Sequence, residues 1–229
     1  MQRHVMQCHG MQRYWRAFSS NFNGVSGATV LENRGLPILE LNAGYPTAPG
    51  QILEIKRFYA ARGRPAVLIL PEGSNLELEA SNAQFVPHAG FAVVASEPEL
   101  EPDWKHLPTV EQVSWGEARA LAQTWCESLG AGGWEASVSN EIARVMPANA
   151  NILAYTALEA DRVIGMGLAL DAALHWLAGN ADAKTAIVKR AAFDAGNPVQ
   201  FSVSPEQVSQ FPSMPELGRH VIWIESSLG

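Results

Sequence analysis

The sequence predicts an α/β protein that is built from two similar halves. Three observations lead to this fold class. Short apolar runs of strand character alternate with amphipathic segments of helical period along the chain. The order strand–helix–strand–helix–strand occurs twice. Between the two occurrences, residues 97–108 combine three prolines with acidic residues and show no apolar period, which predicts a linker. We therefore expect domains at 1–104 and 105–229.

The composition fits two packed domains and disfavours several function classes. Hydrophobic residues make up 47% of the 229 residues, and the apolar runs are far shorter than the roughly 20 residues that span a bilayer, so no membrane association is expected. Residues 1–10 lack the apolar core of a secretion signal, and two cysteines form no disulfide framework, which favours a cytoplasmic location. A net charge of −7 without a larger basic cluster disfavours a nucleic-acid partner.

The elements of the first half follow from local patterns. Ile52, Ile55 and Tyr59 fall on one face of a helix that Gly63 ends. The tripeptide at 33–35 predicts a hairpin turn between two strands. In chain order, the expected elements are a helix at 11–18, a loop at 19–27, strands at 28–32 and 36–42, a helix at 51–62, a strand at 66–70, a helix at 76–86 and a strand at 90–95.

The second half begins with a helix pair. Ser114 and Glu117 form a capping box that predicts a helix start, and the glycines at 130–133 interrupt the helix. The tripeptide at 159–161 predicts a hairpin. In chain order, the expected elements are helices at 114–129 and 134–145, strands at 151–158, 162–170 and 172–177, a helix at 183–195, a strand at 199–203, a short helix at 206–211 and a strand at 220–225.

One segment of each half shares a sequence pattern. In the first half, Ile-Lys-Arg at 55–57 is followed, after a gap of five residues, by Gly-x-Pro at 63–65 and then by an expected strand. In the second half, Val-Lys-Arg at 188–190 is followed, after the same gap, by Gly-x-Pro at 196–198 and then by an expected strand. Each copy predicts an amphipathic helix that ends at a glycine and is followed by a proline just before the next strand. The pattern predicts an internal duplication. The alternative is chance, because helix–Gly–strand units are common in α/β proteins.

These features resemble the GCN5-related N-acetyltransferase (GNAT) superfamily, and in particular its tandem members. Residues 114–145 resemble the family's first helix pair, and 153–167 resemble its second and third strands, which end in a Val-Ile-Gly element. Residues 88–91 resemble the element that usually closes the family's last helix. The resemblance implies two GNAT-like halves, each a mixed, mainly antiparallel sheet flanked by helices, with a degenerate first half.

The family's cofactor motif is present in altered form. In Arg/Gln-x-x-Gly-x-Gly/Ala, glycines and the N–H groups of a helix start bind the pyrophosphate of acyl-CoA. The counterpart at 176–181 keeps Gly179 and Ala181 but has Trp176 at the Arg/Gln position. In the first half, prolines in 44–50 remove donors, so no cofactor site is expected there. The resemblance implies acetyl-CoA or another acyl-CoA, bound by Leu174, Trp176, Leu177, Gly179, Asn180, Ala181, Asp182 and Ala183.

The catalytic group is the least defined feature. His175 is a candidate general base, and its alternative role is structural. The family's tyrosine acid corresponds to Phe211, which cannot donate a proton. The resemblance implies acyl transfer to an unknown amine, which is a small molecule, a protein N-terminus or a lysine; the alternative is a non-catalytic ligand-binding or interaction protein. The sequence leaves open whether the protein forms a homodimer. No metal is expected, because His4, Cys8 and His9 lack a second pair of ligands.

Overall fold

The computed structural model describes residues 14–99 and 104–226. It confirms the α/β class, and the described residues divide into two compact units, of which the first comprises 14–92 with 218–226 and the second comprises 93–99 with 104–217. Our sequence boundary lay at 104/105 and assigned residues 218–229 to the second half. The structure groups this last strand with the first unit, because the strand pairs there with residues 67–71. The proposed metal ligands at 4–9 lie outside the described residues.

The first unit is a mixed sheet with helices. Its strands lie in the order β1-β2-β3-β4-β12-β5. The pair β3–β4 is parallel, whereas β1–β2, β2–β3 and β4–β12 are antiparallel. In chain order its elements are α1 (14–18), β1 (Asn21–Val25), β2 (Ala28–Glu32), a 3-10 helix (Leu39–Asn42), β3 (Gly44–Tyr45), α2 (Gln51–Ala60), β4 (Val67–Pro71), α3 (Leu76–Asn82), β5 (Phe85–Ser96) and the final strand β12 (Glu216–Glu225).

Two predictions at the start of this unit are wrong. The expected loop at 19–27 contains β1, which turns into β2 at Ser26 and Gly27, both at positive φ. The expected strand at 36–42 is absent: residues 36–38 form no regular structure, and Leu39–Asn42 form a 3-10 helix. The side-chain oxygen of Asn33 accepts from the N–H groups of Gly35 and Leu36 at 2.9 and 3.0 Å. The side chain thereby satisfies backbone donors that a hairpin would have paired.

The first core forms around α2, as the apolar period predicts. Ile52, Ile55 and Tyr59 are fully buried, and Tyr59 donates its hydroxyl hydrogen bond to the Leu31 carbonyl at 2.8 Å. Gly63 follows the helix at φ 66°, the left-handed conformation that ends many helices. The helix α3 is shorter than predicted, because β5 already begins at Phe85. The GNAT-like element at 88–91 therefore lies inside a strand and does not close a helix.

The second unit is also a mixed sheet with helices. Its strands lie in the order β5 (from residue 93)-β11-β9-β8-β7-β6, and β10 pairs with β8. The pair β9–β11 is parallel, and β6–β7, β7–β8 and β8–β9 are antiparallel. In chain order its further elements are β6 (Thr109–Val113), a 3-10 helix (Trp115–Glu117), α4 (Ala118–Leu129), α5 (Glu135–Ala148), β7 (Ile152–Glu159), β8 (Arg162–Leu170), β9 (Ala173–Leu174), β10 (Ala178–Gly179), α6 (Ala181–Ala195), β11 (Val199–Val203) and a 3-10 helix (Pro205–Gln210).

The sequence predicted most of these elements, with three differences. The strand β6 was missed, because only Val110 of its five residues is buried and no alternation marks it. Of the expected strand at 172–177 only β9 forms, and the next strand, β10, begins one residue beyond it. The expected helix at 206–211 is a 3-10 helix that begins at Pro205.

Both copies of the sequence pattern adopt the same local structure. In the first unit, α2 connects the parallel strands β3 and β4, and in the second, α6 connects the parallel strands β9 and β11. Gly63 and Gly196 end the two helices at φ 66° and 61°. The duplication itself stays a prediction. Among the residues that the structure describes, no helix is long and apolar enough to cross a membrane.

Candidate functional site

The parallel strands of the second unit separate at their carboxyl ends. Strand β9 pairs with β11 only at Ala173 and Leu174. The chain then makes no regular structure until it pairs with β8 again at Ala178. Leu174 pairs with Ala169 of β8, and Ala178 pairs with Met166. The chain therefore advances four residues on this side and three on β8, so it contains a one-residue bulge. Ligands of α/β proteins commonly bind at the carboxyl ends of parallel strands, which makes this bulge the candidate site.

His175 is the first residue of the bulge. It is 8% exposed, and its Nδ1 lies 3.0 Å from the Oγ of Ser202 on β11. The tautomer decides which of the two atoms donates this hydrogen bond. The two side chains connect the strands just beyond their last backbone pair. The predicted base therefore lies at the carboxyl end of the strand pair, and Ser202 is a partner that the sequence did not identify.

The helix α6 begins at the same end of the sheet. Asn180 is its N-cap residue, and the side-chain oxygen accepts a hydrogen bond from the N–H of Ala183 at 2.8 Å. The N–H of Gly179 donates to the Oγ of Ser128 on α4 at 3.0 Å. Because the first N–H groups of a helix have no acceptor within the helix, those of Ala181 and Asp182 are the donors that remain for an anion. The carboxylate of Asp182 opposes an anion at this position.

Glycines bring the first turn of α6 onto the sheet. A Cβ at Gly165 would lie 2.7 Å from the Cβ of Ala183 and 2.9 Å from the carbonyl oxygen of Ala178. Gly179 has φ 122°, and a Cβ there would lie 2.7 Å from the Ile164 carbonyl oxygen. Side chains at either position would push the helix start away from the bulge. The Val-Ile-Gly element and the Gly of the cofactor motif thus contact the same helix turn.

The other predicted cofactor residues are core residues through their side chains. Trp176 is 1% exposed, and its ring packs against that of Trp125 on α4 at a centroid distance of 5.1 Å. Leu174 and Leu177 are buried as well. A ligand would meet these residues through the backbone or the side-chain edges. Their role in cofactor binding stays a prediction.

Known structures match this architecture over nearly the whole chain. A GCN5-related N-acetyltransferase from Kribbella flavida is similar with a TM-score of 0.68 and 14% identity, over 95% of this chain and 94% of that one. A conserved protein of unknown function from Staphylococcus epidermidis has a TM-score of 0.59 and 9% identity, over 90% and 93% of the two chains. A Novosphingobium aromaticivorans protein assigned to the GNAT family has a TM-score of 0.52 and 9% identity, over 92% of both.

The chain has the GNAT fold. The first of these similarities extends across both units, so the likeness is not limited to the half with the better motif. No protein-family model matches the sequence, and no curated protein matches it. At these identities the likeness concerns the fold, and the chemistry has to be argued from the site.

Two buried side chains of the second unit bear on its chemistry. Phe211, which the sequence analysis matched to the family's tyrosine, is buried and packs edge-on against Phe201 at 5.1 Å, so it offers no proton. Lys184 lies on the buried face of α6, is 9% exposed, and its Nζ is 3.4 Å from the Oε1 of Gln207. Burial lowers the pKa of the Lys184 amine. The sequence marked Lys184 only as part of a weak phosphate-loop pattern at 179–185; the burial of its amine was not predicted, although a lysine on the apolar face of a helix was the available signal.

Proposed function

We propose that the second unit binds an acyl-CoA at the carboxyl ends of β9 and β11 and transfers its acyl group to an amine. The observation that carries this proposal is the bulge after Leu174, which brings His175 and the start of α6 to one end of the parallel strand pair. A thioester there would lie beside the imidazole while its phosphates approach the helix start. Acetyl-CoA is the simplest donor to test.

The phosphates would bind to the backbone of the first turn. The N–H groups of Ala181 and Asp182 and the positive end of the helix dipole attract an anion. Gly179 leaves room for the backbone to approach the pyrophosphate. The charge of Asp182 and the tryptophan at the motif's Arg/Gln position both weaken this attraction. We therefore expect weaker acyl-CoA binding than an intact motif would give.

His175 would act as the general base. When its Nδ1–H donates to Ser202, Nε2 carries the ring lone pair and would take a proton from the substrate ammonium group. The amine lone pair then attacks the thioester carbonyl carbon, the C–N bond forms, the C–S bond breaks with its electron pair on sulfur, and the nitrogen gives up its second proton to solvent. Because Phe211 cannot supply a proton, the thiolate is protonated from solvent.

A second candidate function is binding without catalysis. Two N–H groups at the start of α6 favour this candidate, because they already have acceptors within the protein. The N–H of Gly179 donates to Ser128, and that of Ala183 donates to Asn180. A GNAT fold whose anion site is partly occupied by its own side chains would serve a different ligand or a protein partner. This candidate predicts no turnover with any amine.

Binding and turnover can be tested separately. Acetyl-CoA at about 1 mM should raise the thermal midpoint of the protein, because a ligand of the folded state stabilises it by mass action. Asp182→Asn should tighten binding by about two- to fivefold, since it removes a negative charge from the helix start. Glu135→Gln, in the first turn of α5, is the matched control that should leave binding unchanged.

Turnover is measured as the release of free CoA thiol in the presence of primary amines. His175→Ala should abolish this release and keep the acetyl-CoA shift. A missing thermal shift with wild-type protein would overturn the proposed function for this donor. A shift without thiol release across an amine panel would favour the non-catalytic candidate.

A further inference from the structure

The hydrogen bond between His175 and Ser202 joins a base to a nucleophile. Strands β9 and β11 pair in parallel as far as Leu174 and Phe201, and His175 and Ser202 are the next residues of the two chain segments. The His175 Nδ1 lies 3.0 Å from the Ser202 Oγ, which is close enough for direct proton transfer. A serine hydroxyl is a weak nucleophile until an adjacent base removes its proton. The pair therefore has the parts of an activated serine.

Ser202 is the more accessible member of this pair. On β11 its neighbours Phe201 and Val203 are buried, whereas Ser202 is only partly buried. Successive residues of a strand point to opposite faces, so the hydroxyl lies on the face opposite to the Phe201 ring. The residue that would bond to an acyl group is therefore within reach of solvent, and the base beside it is largely shielded from water.

The tautomer of His175 decides what this pair can do. With its proton on Nδ1, the ring donates to Ser202 and keeps Nε2 as the base, which is the form used in the proposed function. With its proton on Nε2, the ring accepts the Ser202 hydroxyl hydrogen at Nδ1. The second form is the one in which a histidine activates a serine. Because both tautomers fit the same contact, one site can carry both reactions.

We infer that Ser202 accepts an acyl group from a reactive ester or thioester and passes it to water. In the first step, Nδ1 takes the hydroxyl proton while Oγ attacks the carbonyl carbon, so that the C–O bond forms and the C–S bond of a thioester breaks with its electron pair on sulfur. The imidazolium then protonates the thiolate. In the second step, Nδ1 takes a proton from water, the water oxygen attacks the ester carbonyl carbon, and the C–Oγ bond breaks as Oγ takes the proton back. The products are a carboxylic acid and a thiol.

This reaction needs no acid from the side chain that the sequence analysis matched to the family's tyrosine. Phe211 offers no proton, and direct transfer to an amine leaves the thiolate to be protonated from solvent. In the serine reaction, the proton that leaves Ser202 stays on His175 and is available to the departing sulfur. The use of acyl-CoA as the thioester rests on the proposed function, whereas the serine pair requires only a reactive acyl group.

The test uses p-nitrophenyl acetate in the absence of any CoA derivative. We expect a burst of about one nitrophenolate per chain, because attack on this reactive ester is faster than hydrolysis of a serine ester. Protein quenched in acid should carry an acetyl group on the peptide that contains Ser202, which mass spectrometry identifies. Ser202→Ala should remove the burst and slow the hydrolysis by about a hundredfold or more, and His175→Ala should have a similar effect.

Two further variants serve as controls. Ser209→Ala removes a hydroxyl that hydrogen-bonds the Glu206 carbonyl of its own 3-10 helix, and it should change neither the burst nor the rate. Ser202→Cys replaces one nucleophile with another and should keep the burst, with the acetyl group on sulfur. Thermal unfolding midpoints show that each variant is folded.

Three results would overturn the inference and leave Ser202 as a residue that only positions the imidazole. These are hydrolysis no faster than that in buffer, hydrolysis that Ser202→Ala leaves unchanged, and acetylation confined to other residues. Acetylation of Ser202 in a protein that acetyl-CoA does not stabilise would keep the serine pair and refute only the use of acyl-CoA. Amine-dependent release of CoA thiol without acetylated Ser202 would keep the proposed function and refute the serine reaction.

Discussion

The close contact between α6 and β8 makes Gly165→Ala an informative substitution. The new Cβ would lie 2.7 Å from the Ala183 Cβ and 2.9 Å from a backbone carbonyl oxygen, whereas ordinary contacts begin near 3.4 Å. The helix start must therefore move by roughly 0.7 Å or more, away from both the sheet and the bulge. Over-packing of this kind costs about 2 kcal/mol of unfolding free energy.

The assay is urea unfolding, with Gly24→Ala as the matched control. Gly24 also lies in a strand, but a Cβ there would meet nothing within 4 Å. Adding Ala183→Gly to Gly165→Ala removes one of the two clashes and leaves the carbonyl contact, so we expect partial recovery with a coupling energy of about 1 kcal/mol. If Gly165→Ala lowered the unfolding free energy no more than Gly24→Ala does, the packing argument for the helix start would be wrong.

Two further substitutions test the first turn of α6. Asn180→Ala removes the cap to the Ala183 N–H and should cost about 1 kcal/mol of unfolding free energy, whereas Asn180→Asp should keep it; equal stability of both variants in urea unfolding would refute the cap. Lys184→Met should raise the unfolding free energy by about 1 kcal/mol at neutral pH, because burial of the charged amine is unfavourable. Since the folded-state pKa of Lys184 lies below the ordinary 10.5, the gain should shrink as pH rises through the folded pKa toward that value, and a pH-independent gain in the same assay would contradict the account.

Local patterns predicted elements wherever the cause of the element is local. The apolar face and the terminal glycine of α2 are both visible in the sequence, and β2 and β11 were predicted to the residue. The strand β1 escaped because its residues are mostly exposed and it is stabilised by pairing with β2. The apolar residues at 36–42 suggested a strand, but the outcome depended on an asparagine side chain several residues away. No period in the sequence records such a hydrogen bond.

The same distinction applies to the candidate site. Gly179 and Asn180 belong to a contiguous motif, and the sequence alone was enough to single them out. Ser202 and Ser128 complete the arrangement from 27 and 51 residues away, on other elements. Their serine side chains carry no signal by themselves, because serine is common at surfaces and in loops. Only the fold reveals that one contacts the candidate base and the other occupies an N–H group of the predicted phosphate loop.

The helix start in the first unit uses acceptors from within the protein. Ahead of α2, the N–H groups of Thr47 and Ala48 donate to the side-chain oxygen of Gln51 at 2.7 and 3.1 Å. The N–H of Gly50 donates to a carboxylate oxygen of Glu79 on α3 at 2.9 Å. An internal carboxylate thus accepts a hydrogen bond at this helix start, and its charge opposes an anion there.

The corresponding groups of α6 bind neutral acceptors. The Ser128 hydroxyl and the Asn180 amide each occupy one N–H group and add no charge, so two donors and the helix dipole stay available. The opposing charge at this helix start comes from Asp182 on the first turn itself. The two helix starts therefore differ in the charge of the side chains that accept from them, a carboxylate in the first unit and neutral groups in the second. That difference is why an anionic cofactor is proposed for the second unit alone, and why Asp182→Asn tests the proposal more directly than a substitution in the core.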